Sequence, residues 1–237
     1  MNNNVNIEKL RSLNEICTSA SDLFKEISNG SFCSVIVPGG NTPIQFYNLL
    51  SHKDIDWSKI TLILSDERLV SIDDKHSNYG MIKANMIKNL PVDNRPNILP
   101  EMEKLDIQRI DEFLKRTNST MSNIPKIEQA FLGLGSDGHT ASVFPGKKAI
   151  SKEVNPFYLT NKDGERFKRI TLSLSFLKTI PILNFLIAGI SKKNILEIII
   201  KHQEENKRLP CIQLIHNTQV RINILCDIAA WPKSNNA

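Results

Sequence analysis

Short runs of Val, Ile and Leu recur along the chain, each followed by a polar or glycine-containing turn and then by apolar positions spaced as on a helix. Ser34–Val37 precedes Thr42–Leu50, Thr61–Ser65 precedes Ser77–Lys88, and Leu183–Ala188 precedes Lys192–His202. Continuous apolar runs suit strands buried on both faces, and strands alternating with helices predict a parallel sheet between helical layers. Further strands are predicted near Ile127–Leu134, Phe157–Thr160, Arg169–Ser173 and Val220–Cys226, with one long helix over Ile7–Ile27. Pro91–Pro125 shows little periodicity beyond a helical stretch at Ile107–Arg116, and Asn161–Glu165 reads as a hairpin tip. The predicted fold class is α/β, a single domain over residues 1–237 built on a mainly parallel twisted sheet flanked by helices, with residues 1–5 and 232–237 as flexible tails.

Composition narrows the partners. With 41% apolar residues in 237, the chain can bury one substantial core. The net charge of +5 arises from Lys and Arg scattered among 25 acidic residues rather than gathered in a stripe, which suits a small anionic substrate better than a nucleic acid. The N-terminal MNNNVNIEKLR turns polar at once, without the apolar core of a signal peptide. Ile180–Ile190, the most apolar stretch, is interrupted by Pro181 and Asn184 and falls short of the roughly 20 residues of a membrane helix. A cytoplasmic protein with no membrane partner is expected, acting as a monomer or small homo-oligomer. Cys17, Cys33, Cys211 and Cys226 are widely spaced and lack clustered histidines, so no metal site is expected and the thiols read as reduced and buried.

Gly133, Gly135 and Gly138 carry the G-x-G-x-x-G spacing of a dinucleotide fingerprint. That motif must open a long helix and be followed, roughly 20 residues on, by an acidic residue ending a strand. Here Pro145 and Gly146 leave space for barely two helical turns, Asp163 falls in a turn, and Glu153 ends no strand. No cofactor is expected. The glycines instead let the backbone turn sharply at the carboxyl end of a strand, where open α/β sheets hold ligands. On spacing alone, His139 is either a capping or core histidine or a base that takes a proton from water.

Three other strand ends bear on that choice. Val37-Pro38-Gly39-Gly40-Asn41-Thr42-Pro43 runs from strand to helix through a glycine turn, with Thr42 as N-cap and Pro43 opening the helix. It is either a good helix start or an anion cradle, and it lacks the Gly-Lys-Ser/Thr of a P-loop. Asp66-Glu67-Arg68 closes a strand and is either a surface ion-pair cluster or a charged wall of the same crevice. Lys192 sits just past Gly189 and the N-cap Ser191, where a cation opposes the helix dipole. A phosphate shared by Lys192 and Arg169 would resolve that conflict; taken singly, each reads as a solvated charge.

In order, Gly39-Gly40-Asn41-Thr42-Pro43, Asp66-Glu67-Arg68, Ser77-Asn78-Tyr79, Gly135-Ser136-Asp137-Gly138-His139-Thr140-Ala141-Ser142, Arg169-Ile170-Thr171-Leu172 and Gly189-Ile190-Ser191-Lys192 resemble the 6-phosphogluconolactonase family, over about Ser34–Ala230. Asp137–Ser142 followed by Phe144-Pro145-Gly146 is the most specific element, and Asp227-Ile228-Ala229-Ala230 a weaker one. The resemblance implies a Rossmann-like fold of the deaminase/lactonase type and cofactor-free hydrolysis of 6-phospho-D-glucono-1,5-lactone in the oxidative pentose phosphate pathway. It implies His139 as general base and Arg169 and Lys192 as phosphate ligands. Asn41, Thr42 and Arg68 would line the cleft, with Asp66 and Asp137 as orienting groups. We add Gly39 and Gly40 N–H groups as expected oxyanion donors.

Two positions depart from the pattern: Asn41 stands where that family usually carries Ser, and Ile224 where it often has Trp. The related glucosamine-6-phosphate deaminases typically read Asp-Glu-Tyr at Asp66-Glu67-Arg68 and place a glutamate five residues beyond the histidine, where this chain has Phe144. A non-catalytic sugar-phosphate sensor on the same fold is a third reading, and the retained His139 argues against it.

Overall fold

The structure, a computed structural model, describes residues 4–28, 30–146, 155–201, 206–216 and 219–232. Strand β2 (Cys33–Val37) is buried throughout, with Val35 and Val37 packed into one apolar layer and Ile36 into the other. Two-sided burial of this kind requires helices on both faces. The sheet runs β1 (Val5–Leu10), β10 (Arg221–Asp227), β9 (Ile182–Ile187), β6 (Ile127–Gly133), β2, β3 (Ile60–Leu64) and β5 (Asn97–Leu99), and all its pairs are parallel. Helices α1 (Leu13–Ile27), α2 (Ile44–Leu50) and α3 (Asn78–Asn85) supply one layer. Helices α5 (Leu174–Leu177), α6 (Lys193–Lys201) and α7 (Pro210–Ile215) supply the other. Helix α4 (Ile110–Met121) gives Phe113 to the first layer and Met121 to the second. In the first layer Phe24 packs on Phe46, Trp57 and Phe131 at ring separations of 6.2, 5.4 and 5.9 Å. Burying each such ring contributes about 2–3 kcal/mol.

A second, antiparallel sheet of three strands holds β4 (Asp66–Arg68), β8 (Lys168–Leu172) and β7 (Phe157–Asn161). The hairpin tip expected at Asn161–Glu165 joins β7 to β8, with Gly164 at φ 81° and the Glu165 N–H donating to the Lys162 carbonyl at 3.1 Å.

Several expectations need correction. The helix predicted over Ile7–Ile27 is strand β1 followed by α1. The Ser12 hydroxyl accepts from the Glu15 N–H at 3.3 Å while the Glu15 carboxylate accepts from the Arg11 N–H, one residue before the cap, at 2.9 Å, and this pair of bonds starts the helix at Leu13. Val5, expected in a tail, opens β1 and pairs with Ile222. Helix α2 starts at Ile44 with Pro43 as its cap residue, so Thr42 caps nothing. Ser191 lies inside a short turn of 3₁₀ helix, Ile190–Lys192, preceded by Gly189. The helical stretch expected at Ile107–Arg116 is a 3₁₀ turn, Ile107–Arg109, continued by α4 to Met121. Glu153, His202 and residues 233–237 of the expected C-terminal tail lie outside the described residues. No described helix is long and apolar enough to cross a membrane.

Candidate active site

Chain progression runs from β2 outward through β3 to β5, then returns to β6 on the other side of β2 and continues through β9 to β10. The order therefore reverses between β2 and β6. A crevice forms at such a switch point outside the carboxyl ends of the strands. Here it is a cleft of about 180 Å³, lined by the turn after β2, the segment after β6, both ends of the β4–β8 pair and the turn after β9. Gly39, Gly40, Asn41, Thr42, Asp66, Arg68, His139, Arg169 and Lys192 all line it, and Asp137 stands behind His139. A larger hollow of about 780 Å³ beside β5 contains none of these residues.

The segment after β6 is a tight loop, not a helix, which removes the structural requirement of the dinucleotide fingerprint. The Gly135 N–H donates to the His139 carbonyl at 2.8 Å and the Gly138 N–H to the Gly135 carbonyl at 3.0 Å. This folds the loop so that the Asp137 carboxylate reaches His139 Nδ1 at 2.5 Å and its backbone N–H at 3.2 Å. A carboxylate only accepts, so Nδ1 donates this bond and Nε2 is the ring nitrogen left for the cleft. Burial opposes the charge on Asp137, but the bonds it accepts from the His139 backbone and ring, and the attraction of that ring when it is protonated, outweigh this and hold its pKa below the usual aspartate range. Gly135 lies directly against the imidazole, since a Cβ there would overlap His139 Nδ1. Gly135→Ala is expected to lower kcat about tenfold by turning the ring, with thermal stability near wild type, because the side-chain tip can move aside while its aim is lost. Steady-state kinetics alongside a melting curve test this.

Past His139 the chain makes a tight turn in which Ala141 has φ 50°, the one non-glycine residue with positive φ among those described. Such a backbone costs about 1–2 kcal/mol. It is held by the Val143 N–H donating to the Thr140 carbonyl at 3.0 Å and the Ser142 N–H donating to Thr171 Oγ1 at 3.0 Å. The turn delivers the Ser142 hydroxyl to the Asp66 carboxylate and brings the Phe144 ring to 5.0 Å from the imidazole.

Strand alternation explains the charged triplet. Asp66 and Arg68 face the cleft, whereas Glu67 points the opposite way. Glu67 is therefore neither in a surface ion-pair cluster nor in the crevice wall, the two readings open to it in sequence. Its carboxylate instead accepts from the N–H groups of Arg68, Asn78 and Tyr79 at 2.7, 2.8 and 2.6 Å and from the Ser77 hydroxyl at 3.1 Å. It caps the start of α3. Burial pushes its pKa up to about 7 against the opposing pull of those N–H groups.

Asn78, which the sequence showed only as part of a resembling motif, proves central to the site. Its Nδ2 donates to the Asp66 carbonyl at 2.8 Å and its Oδ1 accepts from the Gly40 N–H at 3.2 Å. A Cβ on Gly39 would collide with it. The Gly40 N–H is thus committed to Asn78 and is not available as an oxyanion donor, a correction that leaves the Gly39 N–H as the donor of this turn that Asn78 does not engage.

Arg68 and Arg169 are register partners across β4 and β8. Like charges placed directly opposite destabilise a strand pair. Arg169 meets the carboxylates of Asp66, at 3.6 Å, and Glu165, while the Nε of each arginine is buried without a hydrogen-bond partner among the described residues. Lys192 stands across the cleft, where burial lowers its pKa and the charge of Asp137 partly restores it. Its turn follows Gly189, at φ 92°, whose N–H donates to the Asp227 carboxylate at 3.0 Å. Paired arginines with unmet donors and a desolvated lysine are the kind of groups that pair with an anion. Ile224, by contrast, is wholly buried in the core and does not line the cleft.

Residues 12–223 match the family model described as glucosamine-6-phosphate isomerases/6-phosphogluconolactonase. The chain belongs to this family. It is 31% identical over 183 residues to the 6-phosphogluconolactonase of Xylella fastidiosa (strain 9a5c), covering 74% of each chain. It is 28% identical over 209 residues to that of Helicobacter pylori (strain J99 / ATCC 700824), covering 85% of this chain and 88% of the relative. The solved 6-phosphogluconolactonase from Trypanosoma cruzi superposes with a TM-score of 0.81 at 23% identity, over 97% of both chains, a likeness in fold. The family name covers two activities, so the residues in the cleft must separate them.

Proposed function

We propose that the protein hydrolyses 6-phospho-D-glucono-1,5-lactone to 6-phospho-D-gluconate, the second step of the oxidative pentose phosphate pathway, in the cytoplasm. The carrying observation is the His139–Asp137 pair, with Nδ1 fixed at 2.5 Å and Phe144 packed beside the ring. His139 Nε2 takes a proton from water, whose oxygen bonds to the lactone carbonyl carbon. The tetrahedral oxyanion draws on the Gly39 N–H, and collapse breaks the bond to the ring oxygen, which takes the proton back from the imidazolium. Asp137 stabilises that imidazolium. Arg169, Arg68 and Lys192 hold the phosphate, Asn41 and Thr42 form the sugar-facing rim, and Asp66 orients Arg169 and Ser142.

The deaminase reading requires a second proton-transferring group near the histidine. Phe144 cannot supply it, and its ring occupies that place. The phosphate assignment predicts strong discrimination: glucono-1,5-lactone without the phosphate should show kcat/KM at least about 100-fold lower, given two or more charge-assisted hydrogen bonds lost. Equal kcat/KM for the two lactones, measured by acid release at constant pH, would remove the phosphate from the account.

A further inference from the structure

Arg169 is the most enclosed cation of the cleft, its side chain 9% exposed, yet one edge of its guanidinium is taken by the carboxylate of Glu165. The two carboxylates on Arg169 are held very differently. Asp66 is itself buried, accepts from the Ser142 hydroxyl, and accepts from the Ser65 hydroxyl at 3.3 Å. Glu165 sits on the turn between β7 and β8, 33% exposed, with Lys162 Nζ 3.4 Å away as a second partner. A cavity of about 300 Å³ adjoins it, lined by Arg68, His76, Glu165, Arg166, Phe167 and Arg169. A carboxylate leaving Arg169 thus has space, solvent and another cation to receive it, whereas Asp66, although it lines the cleft, is only 9% exposed and is tied in place by the Ser65 and Ser142 hydroxyls.

We propose that Glu165 is a specificity-determining residue that occupies Arg169 in the free protein and is exchanged for the phosphate of the substrate. The inference rests on the reading of Arg169 as a phosphate ligand. A dianion brings more charge to the guanidinium than a carboxylate does, so it displaces Glu165, which then pairs with Lys162. A ligand without phosphate leaves Glu165 in place and meets a cleft whose arginine is already neutralised. Burial opposes the charge on Glu165, but its contacts with Arg169 and then Lys162 prevail and hold its pKa below the ordinary glutamate range, so the competitor is ionised at neutral pH.

Isothermal titration of inorganic phosphate and of 6-phosphogluconate into the full chain tests the exchange. Glu165→Gln should tighten both by about fivefold, the scale of losing one partly exposed ion-pair competitor, and Glu165→Ala should do the same. In an Arg169→Ala background the Glu165 substitution should change nothing. Unchanged or weaker binding in Glu165→Gln would show that Glu165 only props Arg169 in position and would overturn the proposal. A gain that persists without Arg169 would overturn it too, as a general charge effect, and so would failure of both proteins to bind either anion. Tighter binding through Arg169 in a protein that turns over no lactone would support the exchange and count against the hydrolase reading alone.

Discussion

His139→Ala should lower kcat for the phosphorylated lactone by about 100-fold or more, the usual contribution of a positioned general base, with KM within about a factor of three. The expectation follows from a division of labour in the cleft. His139 is bonded to Asp137 and packs against Phe144, whereas the guanidinium of Arg169 is held by Asp66, Glu165 and Ser142, and Lys192 comes from the far side. Removing the imidazole therefore leaves the anion site intact. Asp137→Asn should fall between wild type and His139→Ala, because an amide can still accept from Nδ1 but carries no charge to stabilise the imidazolium. A His139→Ala protein with wild-type turnover would show that the lactone is opened by some other group, and stopped-flow detection of 6-phosphogluconate would reveal it.

Lys192→Ala should act in the opposite way, raising KM by roughly 10- to 100-fold while kcat changes little, as expected for loss of one charge-assisted hydrogen bond to a phosphate. Its half-buried amine pays a desolvation penalty that no carboxylate contact fully offsets, and a bound dianion would relieve it. The turn that presents it is fixed independently, by Gly189 and the Asp227 carboxylate, so the substitution removes the charge without moving the backbone. A loss confined to kcat would place Lys192 at the reacting carbonyl instead of the phosphate.

The strands that build the cleft were legible because each is a short apolar run buried on both faces, as β2, β3 and β9 are. Strand β1 was not, since it is a short edge strand whose alternation breaks at Glu8-Lys9 and which is held by β10, more than two hundred positions away in sequence. The Ser-x-x-Glu spacing of Ser12 and Glu15 was a local signal that could have separated it from α1. In the site, the residue types converging on the cleft could be read from the strand ends, but their partners could not. The orientation of the His139 ring depends on the Asp137 contact, two residues away yet set by the fold of a glycine loop. Glu67 could have been assigned to the far side of β4 by alternation alone, whereas the hold of Asn78 on the Gly40 N–H joins residues 38 positions apart and has no local signature.

The most direct test is the rate at which the purified protein forms 6-phosphogluconate from lactone freshly generated by glucose-6-phosphate dehydrogenase, against spontaneous hydrolysis, with glucosamine-6-phosphate run in parallel for ammonia release. The account predicts acceleration well above background that disappears in His139→Ala, and no ammonia. Hydrolysis at the spontaneous rate, or ammonia released from the amino sugar, would contradict it.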